Sequence, residues 1–142
     1  MPSNGHQQLL LWVARKMTAD GFVVAGFDGT VVQGGMWNDL PRPFAINRVR
    51  PDAWGISRKN GQIVVGEAKT ASDLASSHTR KQLQSFGRLM QKDSGELAKL
   101  YVAVPRSAVY ALDVVLIDTG LIAARNVFRM HIPDCLVDDD QK

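Results

Sequence analysis

Several common kinds of site are excluded by what this chain lacks. Its 142 residues include one cysteine, Cys135, so no internal disulfide can form and a reducing compartment is expected. Cys135 reads as a packing residue near the C-terminus rather than a catalytic thiol. The three histidines, His6, His78 and His131, are scattered and offer no Cys/His ligand spacing for zinc. No uninterrupted apolar run approaches membrane-spanning length. The N-terminus lacks a basic stretch leading into a long apolar core, which argues against secretion. The expected setting is the cytoplasm. Repeats and low-complexity linkers are absent too.

Acids are scarce in the middle of the chain. From Arg42 to Lys92 there are ten bases and three acids, a net charge of +7, although the whole chain carries only +3. The last nine residues, Asp134 to Lys142, hold four acids and one base and mask the difference. A basic segment of this kind attracts phosphates; a soluble basic surface is the plainer reading of charge alone. An apolar content of 45% excludes a wholly disordered chain. One domain is expected over residues 1–133, followed by a frayed acidic tail at 134–142.

The periodicity predicts one α/β unit. Leu10, Val13, Ala14 and Met17 recur at helical spacing over residues 5–19, and Asp20-Gly21 ends that helix. Residues 22–27 read as a strand, Asp28-Gly29 as a turn, Val31-Val32 as a continued hairpin and residues 34–43 as a loop. Trp37 in that loop could stack on a base or, more commonly, close the edge of the core. Polar residues 70–77 offer Ser76 or Ser77 as a cap for a helix over about 78–91, with Leu83, Phe86, Leu89 and Met90 toward the sheet. Residues 100–104 form a strand buried on both faces, Ser107 can cap a helix over 108–118, and residues 121–132 add a last strand or two.

The most informative stretch is a predicted β-hairpin. Residues 45–56 and 62–68 are strand-like, and Asn60-Gly61 between them favours a two-residue turn. That turn would set Asp52 opposite Lys69 and Trp54 opposite Glu67, so that Asp52, Glu67 and Lys69 share one face. Two close carboxylates repel unless a cation lies between them, and a neighbouring lysine can hold or polarise a water. Mg²⁺ suits such a set, because it takes few protein oxygens and keeps several waters; the Ala68 carbonyl could be a third ligand. A solvated sheet face with a cross-strand ion pair is the bland alternative for Glu-x-Lys alone.

Arg50-Pro51-Asp52, Val64-Val65-Gly66-Glu67-Ala68-Lys69 and Gln82-Leu83-Gln84-Ser85-Phe86 together resemble the PD-(D/E)xK nuclease superfamily. Within it they look most like small Holliday-junction-resolvase-like and VRR-type nucleases. The resemblance spans about Arg48 to Pro105. It implies a restriction-endonuclease-like fold, a mixed β-sheet flanked by helices with an αβββαβ core. It implies metal ligation by Asp52, Glu67 and Ala68, a water-directing Lys69, and Gln82 reaching the site from the following helix. Many members also carry a glutamate on the first helix; here the corresponding region is Gly5-His6-Gln7-Gln8, where His6 or Gln7 would have to stand in.

The expected function is Mg²⁺-dependent DNA endonuclease action, with Mn²⁺ as a substitute and products bearing 5′-phosphates. Arg48, Arg50, Arg80, Lys81 and Arg88 are the candidate phosphate contacts. A homodimer would suit the cutting of two strands, although no self-complementary patch is identifiable. The alternative is a non-catalytic nuclease-like fold that binds DNA or serves assembly in a phage or mobile element. His78 reads as a solvated histidine outside the core site.

Overall fold

The computed structural model describes residues 3–29 and 37–137. The expected Val31-Val32 hairpin, residues 138–142 of the 134–142 tail and part of the 34–43 loop lie outside these residues. The first helix, α1 (Asn4–Ala19), begins where the Ser3 hydroxyl accepts a hydrogen bond from the His6 amide at 3.1 Å. It stops at Asp20-Gly21, with Gly21 at φ 93°. Three strands follow, β1 (Phe22–Phe27), β2 (Ala53–Ser57) and β3 (Ile63–Ala68). A short helix α2 (Ala71–Leu74) and a longer α3 (Ser77–Gly87) lead to β4 (Lys99–Pro105), α4 (Val109–Asp118) and β5 (Val127–Ile132).

The strands form one mixed sheet in the order β1-β2-β3-β4-β5. The first three are antiparallel neighbours, and β3, β4 and β5 run parallel. Parallel strands need helical crossovers, and α3 and α4 lie on those connections. On one face α1 buries Leu9, Leu10, Val13 and Met17 against Val24, Ala53, Val64, Ala68 and Ala103. On the other, Leu74, Leu83, Phe86, Leu112 and Leu116 cover Val65, Leu100, Val102 and Val104. Alternate residues of β4 therefore enter opposite cores, which explains its unbroken apolar sequence. Among the described residues no helix is long and apolar enough to cross a membrane.

Several local expectations need correction. Asn60 and Gly61 do not form a two-residue turn. The loop is four residues long, closed by a Gly61 N–H donating to the Ser57 carbonyl at 3.2 Å, with Gly61 alone at positive φ (73°). The Asn60 side chain instead accepts from the Gln62 amide at 3.0 Å. The longer loop changes the register: Ala53 pairs with Gly66 and Trp54 with Val65. Continuing that pairing sets Asp52 opposite Glu67 rather than Lys69. The offset is two residues, so every side chain keeps its face.

The strand predicted over 45–56 is confined to its end. Ile46 and Val49 exchange backbone hydrogen bonds of 2.7 and 2.9 Å across Asn47 and Arg48, which both have positive φ (52° and 68°). A tight turn with two positive-φ residues thus forms at Asn47-Arg48, where none was expected. Residues 71–74 are helical because Thr70 and Asp73 make a reciprocal capping box. Helix α3 ends at Gly87, and Met90 beyond it is 59% exposed rather than facing the sheet. Helix α4 has no side-chain cap from Ser107; its first turn grows out of a 3-10 turn at Arg106–Ala108. Residues 121–132 yield one strand, and Cys135 is exposed, not packed. Trp37 packs beside Phe27 at the edge of the α1 core, with ring centroids 6.3 Å apart.

Candidate active site

The site lies where β3 ends. Residues at alternate positions share a face, so Glu67 and Lys69 both point away from α1, toward α3. Asp52, just before β2, meets them. Its backbone amide donates to Glu67 Oε2 at 2.8 Å, and its own Oδ2 accepts from the Ala68 amide at 2.9 Å. These crossed bonds clamp the two acids to each other's strands. The Ala68 N–H points toward Asp52, and strand geometry turns the Ala68 carbonyl the same way.

Two helices complete the constellation. Gln82, one turn before the buried Phe86 on α3, accepts a hydrogen bond through Oε1 from Lys69 Nζ. Lys69 Nζ also sits 3.5 Å from Glu67 Oε1. From the opposite side of the sheet, the first turn of α1 brings His6 Nε2 to 3.2 Å from Asp52 Oδ2. The helix N-terminus thus reaches around the ends of β2 and β3, and the group it brings to Asp52 is an imidazole.

All of these groups are withdrawn from water. Glu67 is 0% exposed, and Lys69 and Gln82 are both 7% exposed. The side chains of Asp52 and His6 are 15% exposed. Burial and then the neighbouring Asp52 charge push the Glu67 carboxyl well above the usual carboxylate range, against the pull of Lys69. Burial also opposes the charge on Asp52, but the His6 hydrogen bond, the His6 and Lys69 charges and the Ala68 amide together hold its pKa down. For His6 burial is again the largest opposing influence, and the bond to Asp52 with its charge lifts the imidazole above its ordinary value.

Among the described residues Glu67 Oε1 is buried without a hydrogen bond, with only the Lys69 ammonium 3.5 Å away to compensate its charge, and His6 Nδ1 is buried without one too. A buried carboxylate oxygen without a donor is costly. A proton or a divalent ion would satisfy what the Lys69 ammonium leaves unbonded. Asp52, Glu67 and the Ala68 carbonyl are the groups that could hold a divalent ion here; their oxygen-only chemistry fits Mg²⁺ or Mn²⁺. Among the described residues no three His, Cys, Asp or Glu side chains are grouped as a metal-binding set, so the donor list rests on two carboxylates and a backbone oxygen.

The basic residues divide. Arg48 and Arg50 are exposed around the 46–49 turn, and Lys81 is exposed on α3. Arg80 is occupied: its guanidinium pairs with Asp118 of α4 at 2.9 and 3.1 Å and reaches the Leu74 and Ser76 carbonyls. Arg88 donates to the Thr119 carbonyl at 2.9 Å. Both dock α3 onto α4, a role the sequence reading had not assigned. His78 and Gln84 are exposed, which leaves Gln82 as the glutamine of the site. Thr70 was also missed; its capping box turns the chain sharply after Lys69, and the Thr-x-x-Asp spacing is the signal that identifies it. Comparison with protein-family models, curated proteins and solved structures finds no match for this chain.

Proposed function

We propose that the chain is a Mg²⁺-dependent DNA endonuclease of the PD-(D/E)xK kind. The observation that carries this reading is the convergence of Asp52, Glu67, Lys69 and Gln82, from three separate elements, around a buried carboxylate oxygen that lacks a hydrogen bond. Asp52, Glu67 and the Ala68 carbonyl would hold the ion, which when bound supplies Lewis-acid stabilisation of charge on the phosphoryl oxygens. Lys69 Nζ, steered by Gln82 Oε1 and Glu67, is placed to donate to the attacking water and set its direction. His6 fixes the carboxyl of Asp52, so it positions a ligand rather than touching substrate. The products would carry 5′-phosphates, and the setting would be a bacterial or phage-infected cytoplasm.

A second reading has one observation in its favour. Where an acid would complete the ligand set, the first helix presents His6, bonded to Asp52. A chain that kept the frame for DNA binding or assembly, without cleavage, would tolerate that replacement. Supercoiled plasmid separates the two. With Mg²⁺ or Mn²⁺ the wild type is expected to nick, and EDTA to stop it. Asp52→Ala should abolish the reaction. Lys69→Ala should slow it roughly a hundred- to ten-thousand-fold while sparing most of the DNA affinity. DNA retention with intact strands across all metals, or nicking by Asp52→Ala at the wild-type rate, overturns the nuclease reading.

A further inference from the structure

Next to the acidic site lies an apolar cavity of about 150 Å³, lined by Phe44, Ile46, Pro51, Trp54, Ile63 and Leu89. We infer that it receives the face of an unpaired nucleobase beside the scissile phosphate, so that the substrate is a strand with at least one unstacked nucleotide at the cut. The inference rests on the nuclease reading for the position of the phosphate.

Four observations point to a base. The first is continuity with the site. Pro51 lines the cavity and is bonded to Asp52. Trp54 lies two residues further along the strand, on the same face as Asp52, about 7 Å away. That separation suits a phosphate at one end and the base of an adjoining sugar at the other. The second is the aromatic lining. Phe44 and Trp54 meet edge-to-face with centroids 5.3 Å apart, yet Phe44 remains 61% exposed. A free aromatic face beside a cavity is what a base stacks on, whatever its identity. The third is size and polarity: an apolar cavity of this volume admits a six-membered aromatic ring. The lining has no polar group to read a base edge, so it would accept a π-face but not discriminate sequence.

The fourth is charge. Arg48 and Arg50 are exposed, and both lie on the segment that supplies Phe44, Ile46 and Pro51. They would hold the sugar-phosphate chain beside the inserted base. Trp54 is held for this role by its neighbours. A Cβ on Gly26 would come within 2.6 Å of its indole, so the ring lies directly on the glycine backbone. A base paired within a duplex hides both faces in the stack and could not enter without being extruded.

The test is equilibrium binding in EDTA, with a short labelled oligothymidylate, an abasic sugar-phosphate chain of equal length, and a duplex. Wild type should prefer oligothymidylate over the abasic chain by roughly five- to a hundred-and-fifty-fold, the range of one stacked base. Phe44→Ala and Phe44→Leu should both lose that preference while keeping the abasic affinity, and Phe44→Tyr should retain it. Leucine preserves bulk without a ring, so it separates stacking from packing. Equal affinity of the wild type for the two single strands overturns the inference. So does a preference unchanged in Phe44→Leu, or a concentration-dependent dimer that Phe44→Ala dissolves, which would assign the cavity to a second copy. Base preference without Mg²⁺-dependent cleavage of any of these substrates would retain the pocket and remove the nuclease; cleavage without base preference would do the reverse.

Discussion

At the scale of single residues, the site is a set of charges that folding has forced together. Glu67 is wholly buried, and its folded pKa is raised by burial and by Asp52. The folded protein therefore holds a proton that the unfolded chain releases. That contribution is complete below the ordinary glutamate value of 4.5 and is lost as pH climbs toward the folded pKa. His6 acts in the same direction: its pKa is raised above 6.5, so its contribution is present below that value and fades as pH rises through the folded pKa. Asp52 acts in the opposite direction, since its lowered pKa supplies stability above 3.8 that disappears on acidification. In EDTA the melting temperature should therefore peak in mild acid and fall toward alkaline pH. Glu67→Gln, which has no proton to lose, should flatten much of that fall. Calorimetry across pH checks this, and coincident profiles for the two proteins would refute it. Mg²⁺ should raise the wild-type melting temperature more as pH increases, because the ion and the proton compete for the same carboxylate.

At the scale of elements, the site depends on how closely α1 lies on the sheet. Gly66 precedes Glu67 and faces the helix. A Cβ there would stand 2.4 Å from Val13 Cγ1 and 3.2 Å from Met17 Sδ. Gly66→Ala must lift α1 or displace Val13. It should cost about 1–3 kcal/mol, the usual range for overpacking a filled core. It should also loosen the His6–Asp52 contact, because His6 rides on the same helix. Urea titration gives the first quantity; the shift of the His6 titration followed by NMR gives the second. Unchanged stability would mean that α1 is not seated as closely as this. Much at this level was legible in the residues. Leu10, Val13, Ala14 and Met17 mark the buried side of α1, and the unbroken run Leu100–Val104 marks a strand with two covered faces. The hairpin register was not legible. Asn60-Gly61 suits a two-residue turn locally, but four loop residues link Ser57 to Gln62, and the primed-type turn went to Asn47-Arg48, where arginine gives little sign of a positive φ. The site survived that error because strand alternation has a period of two, and the offset was also two.

At the scale of the whole molecule, the question is which part of the positive charge is free to meet a polyanion. The excess between Arg42 and Lys92 was plain in the sequence, but its division was not, since the partners of these side chains lie far along the chain. Arg80 finds Asp118, 38 residues later, and Arg88 finds the Thr119 carbonyl, 31 residues later. No local pattern announces either partner. Arg48, Arg50 and Lys81 are exposed, the first two around the 46–49 turn and the third beside Gln82 on α3; Arg88 is exposed too, and the Thr119 carbonyl does not neutralise its charge. Phosphate neutralisation has a thermodynamic signature. Each contact releases counterions, so the slope of log affinity against log salt becomes shallower by about 1 for each cation removed from duplex DNA, or slightly less for a single strand. The Arg48→Ala/Arg50→Ala double variant should therefore weaken DNA binding and reduce the slope by about 2 on a duplex. Lys81→Ala should reduce it by about 1. Arg80→Ala should leave the slope nearly unchanged and cost at most about 1 kcal/mol of stability, as a partly exposed ion pair does. Fluorescence anisotropy over a salt series resolves these slopes. A larger loss of slope from Arg80→Ala than from the Arg48/Arg50 pair would place the nucleic acid along the seam between α3 and the end of α4 and not across the carboxylates, and the acidic cluster would then need a different substrate.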